Sequence, residues 1–271
     1  MAIVGGALVH RRGGHERQES QHPLGFGLAS LVWVGFYGSL IFSAAIVTLF
    51  IAADNFLFGG DFERFKLLEG SLGPAPALAL SYVVAAVVVT LLLKAAFGVP
   101  RSMMAVRQIF GSTGTLRANL VAIVLGLAIA FSSLRLIVLL GPPPATRIPL
   151  HLPIPIVLMD SGWRRAMWAL SGVVLAAPVE ELVFRGVMLD GFTRSLGPLA
   201  GGLLVTLLFI AGHSAATHLW WPGIAGVAAV ATVTLLFRLV TRSLGPPIAL
   251  HAAYNLGIAV WVYTAPWRLA R

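Results

Sequence analysis

Val173-Val-Leu-Ala-Ala-Pro-Val-Glu-Glu-Leu-Val-Phe-Arg-Gly186 sets two adjacent carboxylates, Glu180 and Glu181, inside an otherwise apolar run. The apolar character extends from about Arg165 to Phe192. That is longer than the roughly 20 residues a helix needs to cross a bilayer. An ionised side chain at the bilayer centre costs about 2.5–3.5 kcal/mol on insertion scales, and neighbouring carboxylates also repel each other. Such a pair needs partners or a chemical task.

The rest of the chain explains why a carboxylate pair would be buried at all. Of its 271 residues 58% are hydrophobic and 11% charged, and the mean hydropathy is +0.89. A soluble domain carries about 25% charged residues, and no soluble fold of this length could hide so much apolar surface. In lipid every backbone group must be satisfied within its own segment, which dictates helices. The expected fold is all-α, a polytopic transmembrane bundle of about seven spanning helices. The segments are about Leu24–Ala53, Ala75–Phe97, Leu120–Leu140, Arg165–Phe192, Pro198–Leu219, Gly223–Val240 and Pro247–Tyr263. A re-entrant piece in the long first segment or the Pro-rich region would make eight. No internal repeat is visible.

Punctuation between the segments divides the chain. Residues 1–22 read as a mobile polar tail. They are not a signal peptide, because the basic cluster Arg11, Arg12 and Arg17 follows the short apolar run rather than preceding it. After the first segment, Phe56, Phe58, Phe62 and Phe65 alternate with charged residues and suit a loop lying on the membrane surface. Six prolines between Pro142 and Pro155 exclude a regular helix. They separate N-terminal helices (23–160) from a C-terminal core (161–271). Trp163 and Trp168, and later Trp261, Tyr263 and Trp267, suit interfacial belts.

The formal net charge of +9 is not a nucleic-acid footprint, since the basic residues are scattered through short loops. They set topology and touch anionic head groups. Counting them on alternate sides places the N-terminus in the cytoplasm and, with seven spans, the C-terminus outside. The chain is read as a multi-pass protein of a prokaryotic cell membrane, with the bilayer as partner and no nucleic acid. Cysteine is absent, which excludes disulfides, thiol catalysis and Cys-ligated metals.

Three pairs at turn spacing carry the chemistry. Glu181 and Arg185 share a helix face and can neutralise each other, which leaves Glu180 as the working carboxylate. Pro178 just upstream frees a backbone carbonyl and kinks the helix toward the site. Phe209-Ile-Ala-Gly-His213 places an aromatic ring one turn before an imidazole, and His251-Ala-Ala-Tyr-Asn255 places an amide one turn after one. Small residues around His213 allow close helix approach. A desolvated carboxylate serves as a general base. An imidazole opposite it can orient water or accept its proton, and a second imidazole with an amide can hold an oxyanion. Alternatively Glu180, His213 and His251 could hold Zn²⁺. Taken singly, a buried His more often packs or bonds between helices, and a Glu–Arg pair is as often structural. Arg135 and His218 read as structural or interfacial, as do Asp160 and Asp190. The conjunction of the pairs on three apolar segments is what points to a site.

These motifs resemble the CPBP intramembrane protease family, also called the CAAX-protease or bacteriocin-processing family. Its pattern is Glu-Glu-x-x-x-Arg, then Phe-x-x-x-His, then His-x-x-x-Asn or Asp, matched here by Glu180-Glu181…Arg185, Phe209…His213 and His251…Asn255. The resemblance covers about residues 160–262. It implies a membrane endopeptidase acting on a peptide or protein substrate at the membrane, which in the eukaryotic branch is a prenylated CAAX protein losing its last three residues. It also implies that Glu180 and His213 activate water while His251 and Asn255 stabilise the oxyanion, with Glu181, Arg185 and Phe209 in support. A non-catalytic scaffold or immunity protein of the same fold, and a proton-coupled transporter, are the other readings. The latter lacks an inverted repeat. One tension remains in the spacing: Glu180 and His213 lie deep in their segments, whereas His251 lies near the start of its own. Meeting requires a shifted fourth helix, or a seventh that begins before Pro246.

Overall fold

A computed structural model describes residues 24–57, 74–98, 113–140, 162–214 and 221–264. The expected tail 1–22, most of the aromatic surface loop, the Pro-rich stretch, Asp160, His218 and Trp267 lie outside the described residues. Seven helical rods make up the described part, with no strand among them. They are α1 (Phe26–Leu57), α2 (Pro74–Phe97), α3 (Leu116–Leu140), α4 (162–196), α5 (Pro198–Gly212), α6 (Trp221–Thr241) and α7 (Gly245–Thr264). Five of them, α1 to α4 and α6, are long and apolar enough to cross a membrane. Their outward faces expose large apolar side chains such as Leu31, Ile41, Val83, Val124 and Leu239, as lipid-facing surfaces do. The protein is a helical membrane bundle.

Local chemistry starts and stops these rods. Thr115 Oγ1 accepts from the Ala118 amide at 3.1 Å and caps α3. Gly197, at φ 84°, turns the chain between α4 and α5, and Pro198 opens α5 at a position where a missing N–H costs nothing. Two contacts fix which rod ends meet. Phe26 N–H donates to Ser195 Oγ at 3.0 Å, which sets the start of α1 beside the end of α4. A Cβ on Gly245 would strike the Thr113 carbonyl, which sets the start of α7 beside the start of α3.

Two departures from expectation matter for the site. The fifth helix was expected to run to Leu219 but stops at Gly212. His213 caps the helix end at φ −95°, ψ −2°, so it closes α5 instead of standing within it. The seventh begins at Gly245, ahead of both prolines. Its start is inside the protein, with Ser243 and Leu244 fully covered. A shortened α5 and an inward-set α7 bring His213 and His251 to the depth of Glu180, which resolves the tension in the spacing.

Helix α3 holds α7 in that place. Ala122, Gly126, Ala130 and Ser133 form a buried stripe of small residues at helical spacing. A Cβ on Gly126 would overlap the Leu250 carbonyl oxygen, and one on Gly257 would come within 2.7 Å of Ala130 Cβ. Backbones approach this closely in membranes only where side chains are small.

Helix α4 is not a regular α-helix. It widens into π turns at Ser171–Ala176 and again at Leu182–Met188, on either side of Ala177–Glu181. Pro178 has no N–H to give, and the first π turn absorbs that gap. Single π turns inside α-helices are frequent at functional sites.

Candidate active site

The carboxylate pair sits between the two π turns and points its members in different directions. Glu181, 0% exposed, meets Arg185 NH1 through Oε1 at 3.2 Å. The same Oε1 accepts from His251 Nδ1 at 2.9 Å. Arg185 is 1% exposed. Its NH2 donates to the Ala231 carbonyl at 3.0 Å, and its guanidinium carbon lies 4.2 Å from the centre of the Phe209 ring. The expected Glu181–Arg185 pairing is present, and it is wired to the second histidine as well.

Glu180, 4% exposed, faces the other way. Its Oε2 lies 3.5 Å from His213 Nε2 and 3.9 Å from His251 Nε2. Its Oε1 accepts a hydrogen bond from the Tyr82 hydroxyl of α2. The imidazoles are held by their other nitrogens. His213 Nδ1 is 2.8 Å from the Phe209 carbonyl, to which only an N–H can donate. His251 Nδ1–H likewise donates to Glu181. Both rings therefore turn Nε2 toward one carboxylate oxygen. Phe209 stacks on His213 (4.5 Å between centres, 27° between planes) and meets His251 edge-on at 5.7 Å. His213, whose side chain is 26% exposed, is the open edge of an otherwise closed centre.

Asn255 lies beside this centre, one turn beyond His251. Its Nδ2 donates to the Gly172 carbonyl at 2.7 Å. That carbonyl belongs to the first π turn and also takes the Ala177 amide. One amide hydrogen of Asn255 is thus engaged, and one remains for another acceptor. At the second π turn the Leu189 amide bonds Phe184 and Gly186, which releases the Arg185 carbonyl from its usual partner. Arg238 Nε takes it at 3.0 Å. Arg238 is buried in α6, with NH2 3.8 Å from Asp190 Oδ1. A charged side chain can be buried there because it meets a carboxylate and a released carbonyl together.

Sequence reasoning missed two residues of the centre, Tyr82 and Tyr37. Tyr37 of α1 places its hydroxyl in the space a side chain on Gly212 would occupy. A tyrosine in an apolar segment reads as packing or as an interfacial anchor, and no motif marks either residue. Among the described residues no three His, Asp or Glu side chains are arranged to hold a metal ion. The zinc alternative on Glu180, His213 and His251 therefore finds no ligand set in this geometry.

Residues 162–257 match the family described as type II CAAX prenyl endopeptidase Rce1-like. The match spans about a third of the chain and contains every motif residue from Glu180 to Asn255. It agrees with the resemblance drawn from the motifs. Comparison with curated proteins and with solved structures yields no match.

Proposed function

We propose that this Rce1-like membrane protein hydrolyses a peptide bond of a membrane-associated chain, using water activated by Glu180 and His213. One observation carries the reading: two imidazole Nε2 atoms converge on a single buried carboxylate oxygen, with His213 as the exposed edge. Glu180 Oε2 and the lone-pair-bearing Nε2 of His213 are both acceptors. Acceptors facing each other at 3.5 Å are satisfied by a shared proton or by the two hydrogens of one water.

The steps balance without a cofactor. The water oxygen bonds to the peptide carbonyl carbon as Glu180 Oε2 takes its proton, and the carbonyl electrons move to oxygen. His251 Nε2–H and the second amide hydrogen of Asn255 donate to that oxyanion. The Nδ1 of His251 is engaged with Glu181, which leaves Nε2 as the nitrogen that faces the oxyanion. Collapse breaks the C–N bond, and the proton held by Glu180 goes to the leaving nitrogen. Chelation with excess EDTA or phenanthroline is expected to leave turnover unchanged; loss that added zinc restores would contradict a metal-free centre.

The substrate class named in the family description is a prenylated CAAX chain. The test uses the purified protein in liposomes with a farnesylated CAAX peptide and its unprenylated twin, in ¹⁸O-enriched water. The expected result is release of the C-terminal tripeptide from the farnesylated peptide, with ¹⁸O in the new carboxylate. Equal cleavage of both peptides would remove prenyl recognition, and cleavage of neither would sink the reading.

A further inference from the structure

We infer that Tyr82 is the positioning residue that selects which oxygen of Glu180 acts as base, so that α2, outside the matched region, completes the catalytic centre. This deepens the proposed hydrolysis and rests on it.

A carboxylate has two equivalent oxygens and turns about its last torsion with little resistance. In this centre the competing attractions are close: Arg185 and two imidazoles lie around the same pair of acids. Something must decide which oxygen faces the histidines. Tyr82 donates its single proton to Oε1, and Oε2 is left as the oxygen shared by His213 and His251. A hydrogen bond to Oε1 also withdraws that oxygen from proton transfer. The base is then one atom in one direction.

The hydroxyl is itself held in place. Tyr82 is buried, and its ring lies 6.3 Å from Phe36 of α1. Phe36 meets Phe184 of α4 edge-on at 6.2 Å. The chain of rings links α1, α2 and the segment that carries Glu180. A phenol fits the task because it carries one donor far from the backbone on a stiff ring with two torsions, where a serine is too short and a lysine brings four torsions. The neighbouring Ser81 differs: its hydroxyl donates to Ala77 within its own helix.

The experiment is steady-state kinetics of Tyr82→Phe in liposomes on the peptide that the wild type cleaves, beside Glu180→Gln and Ser81→Ala. Thermal unfolding of each in detergent runs in parallel. Phenylalanine keeps the ring packing, so the unfolding midpoint should stay close to wild type. Losing a hydrogen bond to a charged group should lower kcat by roughly 10- to 100-fold at nearly constant KM. Ser81→Ala should match wild type. An unchanged kcat in Tyr82→Phe, or a loss carried by KM, overturns the inference while leaving the hydrolytic reading intact if Glu180→Gln is inactive. Activity retained in Glu180→Gln defeats the hydrolytic reading itself.

Discussion

At the scale of residues, the centre is a problem of charge placed where water is scarce. Glu181 and Arg185 are buried together and share His251 as a third member. Removing one partner of a buried pair leaves an uncompensated charge, at a cost of about 3–5 kcal/mol, whereas removing both can be nearly neutral. Arg185→Met should therefore lower the thermal midpoint sharply, and Arg185→Met with Glu181→Gln should recover much of the loss. A double variant as unstable as the single would show that Arg185 acts through Phe209 and the Ala231 carbonyl instead. The Glu181–Arg185 pairing was legible because four residues make one turn. Tyr82 was not, because its bond to Glu180 spans 98 positions and nothing in α2 repeats or pairs. A hydroxyl aimed across helices leaves no local pattern.

Elements decide whether these residues meet. Pro178 marked the fourth helix as irregular, but the form of the irregularity was hidden. Two π turns flank the acids, and the carbonyls they loosen are taken by Asn255 at Gly172 and by Arg238 at Arg185. Turn-spacing arguments assume a uniform helix, so they found the pairs and missed these cross-links. The end of α5 at Gly212 escaped for a similar reason, since no proline or glycine marks a stop between His213 and Leu219. Helix α7 depends on the small-residue seam of α3. Gly126→Ala would press a methyl group into the Leu250 carbonyl, next to His251. Overpacking of this kind costs about 1–3 kcal/mol, so the variant should unfold earlier and turn over more slowly. Wild-type stability and rate in Gly126→Ala would mean that the two helices can separate without disturbing the site.

For the whole molecule, composition alone indicated a helical membrane bundle, because so apolar a chain has no other way to satisfy its backbone. Composition could not indicate that α1, α2 and α3 take part in the centre. Helix α1 brings Tyr37 against Gly212, α2 brings Tyr82 to Glu180, and α3 seats α7. Seven crossings, with the excess of basic residues on the cytoplasmic side, predict Gly25 on the cytoplasmic face and Thr264 on the opposite one. The chain has no cysteine, so single Gly25→Cys and Thr264→Cys variants report cleanly. A membrane-impermeant maleimide applied to intact cells should label only Thr264→Cys. Labelling of both, or of Gly25→Cys alone, would contradict the topology.

The proposed hydrolysis depends on one buried oxygen of Glu180. Its most direct test is single-turnover cleavage by Glu180→Gln in liposomes, with folding verified by thermal unfolding. Glutamine keeps the shape and can still accept from Tyr82, but it cannot take a proton from water. The account predicts a fall of about 10²- to 10⁴-fold, the range over which a general base contributes, in a protein that folds as the wild type does. A folded Glu180→Gln that cleaves at the wild-type rate would contradict it.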